Sequence, residues 1–271
     1  MKRVNQWILR LLLTTILIPA ALPQPAFAST ETTNFIAHRG YSQTAPENTL
    51  AAFQLAKEHS FTYVECDVAF TADGIAVLLH DDTIDRTSNG SGKIAELTCE
   101  QLLSYDFGSW KSSDYTGTKI PTFEEFISLC AELELHPYIE LKTSVAYTQD
   151  KVQQLTEIVD AYGLTEHTTW ISFSRTLLHF VKNVEPSARL GYLCSSDVTD
   201  YAIYMAKTLQ TEENEVFLNL PYQELTEEGI LQSIIHGISI EVYTVTSEPS
   251  LVELPSYVSG VTGDFLPLQL P

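Results

Sequence analysis

The stretch Glu65–Asp81 brings carboxylates and an imidazole within reach of one another through strand geometry alone. Tyr63–Phe70 and Ile75–His80 read as strands, and the Asp73–Gly74 pair between them signals a two-residue hairpin turn. With Asp73 and Gly74 central, Ala72 pairs with Ile75, and counting outward sets Asp67 opposite His80. Side chains alternate along a strand, so Glu65 and Asp67 share a face, and cross-strand partners share it too. That face offers two hard oxygen ligands and a group that exchanges a proton near neutrality. Cys66, between them, points the other way and reads as a core residue.

Other strand ends supply what this face lacks. Phe35–His38 reads as a first strand ending in His38 and Arg39, and Tyr138–Leu141 carries Glu140 with Lys142 two residues on, hence on the same face. Glu65, Asp67 and Glu140, with no cysteine or clustered histidine among them, suit one divalent cation, Ca²⁺ or Mg²⁺, rather than zinc. Ion pairs with Arg39 and Lys142 would satisfy the same carboxylates without metal. Three inward carboxylates against two cations nevertheless leave excess negative charge, which favours the metal. His38 and His80 are the natural acid and base, because cleaving a phosphate ester takes one proton from the nucleophile and gives one to the leaving oxygen. Arg39 offers a planar fork and Lys142 a point charge for phosphate oxygens. His59, His136, His167, His179 and His236 have no such company and read as structural or surface groups.

Placing these groups together requires a fold that gathers strand ends. From Phe35 on, strands and helices alternate: helices over Thr49–His59, Phe123–Leu133, Thr148–Tyr162, Arg175–Val184, Val198–Leu209 and Thr226–His236, and later strands over Thr169–Phe173, Arg189–Cys194, Val216–Leu220 and Ile240–Thr246. Eight strands are counted with the hairpin contributing two, and a ninth falls around Val258–Val261. No GxGxxG follows the first strand, which argues against a dinucleotide-binding sheet. The pattern predicts an α/β fold, a TIM-type (β/α)8 barrel over residues 29–271 as one domain, with an irregular hairpin and a loop-rich insertion at 82–121. A two-residue turn cannot join parallel neighbours, so one strand there must run antiparallel.

Residues 1–28 are set apart from the fold. Lys2, Arg3 and Arg10 precede or interrupt an apolar run, and Ala26–Ala28 has the small-residue pattern of a cleavage site, so a cleavable signal peptide is expected. A membrane anchor is the competing reading, but Arg10 and Pro19 leave the run short of the ~20 residues that span a bilayer. The expected product is exported, secreted or held at the cell surface, with no stable membrane insertion after cleavage. A net charge of −20 disfavours nucleic acid and anionic membranes as partners, and obliges an anionic substrate to find a local positive site. Cys66, Cys99, Cys130 and Cys194 match no zinc spacing and no dense disulfide framework.

These motifs resemble the glycerophosphodiester phosphodiesterase family. His38–Arg39–Gly40 and Pro46–Glu47–Asn48–Thr49 stand where the family has HRG and PENT; the hairpin with Glu65, Cys66, Asp67, Asp73, Gly74, His80 and Asp81 follows at family spacing. Arg86–Thr87, Gly90, Gly92, Leu97–Thr98, Ile120–Thr122 and the Glu140–Lys142 strand come next in order. The resemblance implies a phospholipase C-like barrel that hydrolyses a small-molecule glycerophosphodiester to glycerol 3-phosphate and an alcohol. It implies a divalent cation at Glu65, Asp67 and Glu140, acid and base at His38 and His80, and phosphate held by Arg39 and Lys142. Water attacks directly, or a substrate hydroxyl attacks first through a cyclic phosphate. Departures gather late: Tyr243–Thr246 stands where Trp-Thr-Val-Asn is common, and Thr262–Gly263–Asp264 where a Thr-Asp pair is usual. These positions are expected on the alcohol side of the pocket, with Phe173 and Tyr243 as an apolar wall or as core. Rival readings are a lysophospholipase D-type lipid phosphodiesterase and a glycerophosphodiester-binding protein without turnover.

Overall fold

In the computed structural model, which describes residues 33–247 and 257–265, the apolar runs form nine strands. They are β1 (Asn34–Ala37), β2 (Tyr63–Phe70), β3 (Ala76–Leu78), β4 (His136–Leu141), β5 (Thr169–Ser172), β6 (Arg189–Leu193), β7 (Val216–Pro221), β8 (Ser239–Val245) and β9 (Val258–Gly263). The helices are α1 (Leu50–Glu58), the short α2 (Cys99–Leu102), α3 (Phe123–Leu133), α4 (Gln149–Ala161), α5 (Arg175–Val184), α6 (Asp200–Leu209) and α7 (Glu227–His236). Each begins after a Thr or Ser whose side chain accepts a first-turn amide: Thr49, Thr98, Thr122, Thr148, Ser174, Thr199 and Thr226. Most of these caps close loops that follow a strand, and so define the end of the fold where the site lies.

The sheet runs β1-β9-β8-β7-β6-β5-β4-β2, and β1 also pairs β2, so eight strands close into a parallel barrel. The hairpin's return strand β3 is not one of the eight. It lies antiparallel on β2, outside the ring, and β9 takes the place that the strand count had given it. Period-two alternation divides the side chains. In β7, Val216, Leu218 and Leu220 join the outer core under the helices, while Phe217 joins Ile36, Tyr138, Ile171 and Leu193 inside the barrel. The insertion 82–121 has its own small core, in which Ile84, Ile94, Leu102, Phe107 and Ile120 pack on Ala69, Val77 and Leu79 of the hairpin. All four cysteines are free, and Cys66 is buried in the outer core.

The barrel floor carries a buried ion pair. Arg189 Nη2 donates to Glu241 Oε1 at 2.8 Å and to Glu215 Oε1 at 3.1 Å, and Nη1 donates to the Tyr138 hydroxyl at 2.8 Å. Tyr138 in turn donates to Glu241 Oε1, and the guanidinium lies 4.4 Å from the centre of the Phe217 ring. Gly260 makes room for this: a Cβ there would sit 2.5 Å from the Glu241 carboxyl carbon.

The hairpin turn is longer by one residue than expected. Gly74 N donates to Thr71 O and Thr71 N to Ile75 O, both at 3.0 Å, so Ala72, Asp73 and Gly74 form a three-residue loop with Gly74 left-handed at φ 81. The register is therefore Val68↔Leu78 and Ala69↔Val77, and Asp67 faces Leu79, whose amide donates to Asp67 O at 3.0 Å. The expected pairing of Asp67 with His80 is corrected accordingly: an extra loop residue shifts every pair by one. Among the described residues no helix is long and apolar enough to cross a membrane. The expected signal peptide, 1–28, lies outside the described residues.

Candidate active site

The parallel register between β2 and β4 sets Asp67 directly beside Glu140, and Glu65 is two residues back on the same face of β2. One carboxylate oxygen from each of Glu65, Asp67 and Glu140 lies within 4.8 Å of the others. Asn48, at φ 56, clamps Asp67 from the loop before α1: its Nδ2 donates to Asp67 Oδ2 at 2.8 Å and its Oδ1 accepts from Asp67 N at 3.2 Å. Arg39, itself left-handed at φ 57, donates its amide to Glu65 Oε2 at 3.0 Å.

The two cations expected to meet phosphate are turned to these carboxylates. Lys142 Nζ lies 3.1 Å from Glu140 and 3.3 Å from Asp67, and Arg39 Nε lies 3.3 Å from Asp67. Arg39 is also shared, through a 2.7 Å bond from Nη1 to Glu47. Positive charge here does not match the negative. Asp67 alone sits well below the usual carboxylate range, because Arg39 and Lys142 outweigh its burial. Burial and the neighbouring charges of Asp67 and Glu140 push Glu65 well up, and burial and Asp67 push Glu140 up to about 7, against Lys142. Asp67 Oδ1, fully buried, has no well-formed hydrogen bond. An all-oxygen donor set whose carboxylates repel one another fits a hard divalent cation.

Both histidines are anchored at Nδ1 by a carboxylate. His38 Nδ1 lies 2.6 Å from Asp264 Oδ1, and His80 Nδ1 lies 2.8 Å from Asp81 Oδ1. A carboxylate accepts, so each Nδ1 carries the proton and each Nε2 is left to exchange one with a bound ester. His38 Nε2 is 4.0 Å from Glu65 Oε2. His80 lies just past the end of β3, where alternation no longer holds, and within the field of Asp67. Burial, with Arg39 and Lys142, holds the His80 imidazole below its ordinary value against the pull of Asp67 and Asp81.

Asp264 was expected on the alcohol side of the pocket; it instead holds His38, and Ser42 Oγ donates to it at 3.3 Å. Phe173 and Tyr243 do meet, ring centres 6.1 Å apart and nearly perpendicular, with Phe173 39% exposed. Tyr243 donates its hydroxyl to Cys194 O, and burial pushes that phenol well up. Glu47, Asp81 and Arg86 were missed as working residues, Asn48 is expected chiefly in a structural loop and only secondarily as a contact, and Asp264 is expected at the pocket without its bond to His38. Asp81 could have been found as the carboxylate next to a histidine; the bonds Asn48–Asp67, Arg86–Glu47 and His38–Asp264 span 19, 39 and 226 residues.

Fold and site together define a hydrolase built on a closed parallel barrel, with its polar groups gathered at one end. Residues 38–266 match the Glycerophosphoryl diester phosphodiesterase family. The chain is 35% identical over 158 residues to a glycerophosphodiester phosphodiesterase of Caldanaerobacter subterraneus, covering 58% of this chain and 65% of that one. It is 28% identical over 247 residues to one of Bacillus subtilis, covering 85% and 82%. An Oleispira antarctica phosphodiesterase, solved in complex with the product sn-glycerol-3-phosphate, superposes with a TM-score of 0.77 at 26% identity, over 86% of this chain and 94% of that one. The chain belongs to the glycerophosphoryl diester phosphodiesterase family and is an enzyme of that class.

Proposed function

We propose that this enzyme hydrolyses glycerophosphodiesters to glycerol 3-phosphate and the free alcohol, using His38 and His80 as the proton-moving pair. The observation that carries the reading is the meeting, at one end of the barrel, of three carboxylates within 4.8 Å and two histidines each held at Nδ1. Glu65, Asp67 and Glu140 hold Ca²⁺ or Mg²⁺, which supplies positive charge to the phosphoryl oxygens. Arg39 and Lys142 orient the phosphate. One imidazole Nε2 takes a proton from the attacking hydroxyl, of water or of the glycerol itself, and the other gives one to the departing alkoxide. Phe173 and Tyr243 form the wall against which the alcohol lies. The enzyme acts after export, and N-terminal sequencing of the secreted protein is expected to start at Ser29.

The test is release of glycerol 3-phosphate from glycerophosphocholine, glycerophosphoethanolamine and glycerophosphoglycerol, with Ca²⁺ or Mg²⁺ added back after EDTA. His38→Ala and His80→Ala, each confirmed folded by circular dichroism, are expected to lose at least ~100-fold in turnover. Near-normal turnover in both would remove the acid and base roles, and full activity after thorough chelation would remove the metal.

A further inference from the structure

We propose that Arg86, in the loop-rich insertion, is a positioning residue for His80, acting through Asp81. The inference rests on the reading of His80 given above. Arg86 uses all three guanidinium nitrogens: Nε donates to Asp81 Oδ2 at 2.7 Å, Nη1 to Glu47 Oε2 at 2.6 Å and Nη2 to Glu47 Oε1 at 2.8 Å. Asp81 passes this on, its other oxygen meeting His80 Nδ1 at 2.8 Å. Glu47 is a firm anchor because its side chain is only 12% exposed and its Oε1 also accepts from Arg39 Nη1. A chain of alternating charge therefore runs Arg39–Glu47–Arg86–Asp81–His80 across the mouth, joining the loop before α1 to the exit of β3.

Two further observations give this chain a role in orientation. His80 sits just past the end of β3 with its side chain 34% exposed, so packing covers only part of its ring. Hydrogen bonding must then set the ring's angle. The Arg86 side chain is itself 45% exposed, and exposed ion pairs add little to stability. The three bonds are thus better accounted for by what they orient than by what they stabilise. Lysine cannot replace them, since a single ammonium lacks the fork that spans Glu47 and Asp81.

The experiment compares the wild type with Arg86→Lys, Asp81→Asn and the double variant, by steady-state kinetics and by proton NMR of the His80 Nδ1–H. Arg86→Lys is expected to lower kcat about 10- to 50-fold with KM within about threefold, the range seen for groups that orient a reacting ligand. In the Asp81→Asn background the same change is expected to cost no more than about twofold, because the path is already cut. The Nδ1–H resonance, assigned by its loss in His80→Gln, is expected to be protected from exchange in the wild type and lost in Arg86→Lys, while the thermal midpoint stays within a few degrees. Multiplicative losses in the double variant, or a protected Nδ1–H in Arg86→Lys, would overturn the proposal. The NMR result stands whether or not glycerophosphodiesters are turned over. Failure of the substrate reading, seen as an inactive wild type, is therefore distinct from failure of the relay.

Discussion

The two ends of the barrel interior hold similar side chains in opposite states. At the floor, the fully buried Glu241 meets the Arg189 guanidinium and the Tyr138 hydroxyl, and an aromatic face covers the cation. At the mouth, Glu65, Asp67 and Glu140 crowd together with only Lys142 and a shared Arg39 opposite them. At the floor the one fully buried carboxylate has a cation of its own, with Glu215 half exposed to water and Glu241 Oε2 without a hydrogen bond, whereas the mouth crowds three carboxylates against two cations. A buried charge that has its partner serves the fold, and one that lacks it is waiting for something outside the fold.

That contrast can be broken from either side. Arg189→Met leaves Glu241 buried and unpaired, and is expected to destabilise by about 3–5 kcal/mol in urea titration, with kcat per folded molecule nearly unchanged. The double change Arg189→Met with Glu241→Leu is expected to recover much of the loss. Stability unchanged by Arg189→Met would mean that the floor pair is not a structural one. Glu65→Gln at the mouth is expected to act the other way. Activity falls at least ~100-fold, yet the chelated protein unfolds at a higher temperature than chelated wild type, since one uncompensated carboxylate is gone. A lower unfolding temperature in that variant would erase the distinction between the two ends.

The smallest effect lies away from both. Burial pushes Glu185, at the end of α5, up to about 7. The folded state therefore holds its proton over a range in which the unfolded chain has lost it, and stability contributed by this group falls as pH rises from about 4.5 to about 7. Thermal midpoints measured at pH 5 and pH 8 should differ less in Glu185→Gln than in wild type. An equal difference would show that Glu185 does not titrate in that window.

What could be read beforehand follows the reach of local rules. Asp67 and Glu140 were legible because alternation along each strand and gathering of strand ends in a barrel suffice to bring them together. The hairpin was legible as a hairpin but not in register, since Asp-Gly serves both a two-residue turn and a three-residue loop with glycine left-handed. Yet His80 still reached the site, because the chain leaves the strand at Leu78 and its direction no longer depends on register. Glu47, Arg86 and Asp264 were hidden for another reason. Their bonds span 39 residues between Arg86 and Glu47, and 226 between His38 and Asp264, and no period in the chain encodes such partners.

The pairing of β1 with β9 has a consequence in time. Asn34↔Gly260 through Ala37↔Gly263 close the barrel, His38 N donates to Gly263 O, and Asp264 then meets His38. Synthesis makes Asp264 226 residues after His38. Until then the first strand has an open edge and the first histidine has no acid at its back. Ring closure and arming of the histidine are one event, so an unfinished chain carries the sequence motifs of the enzyme without its assembled site.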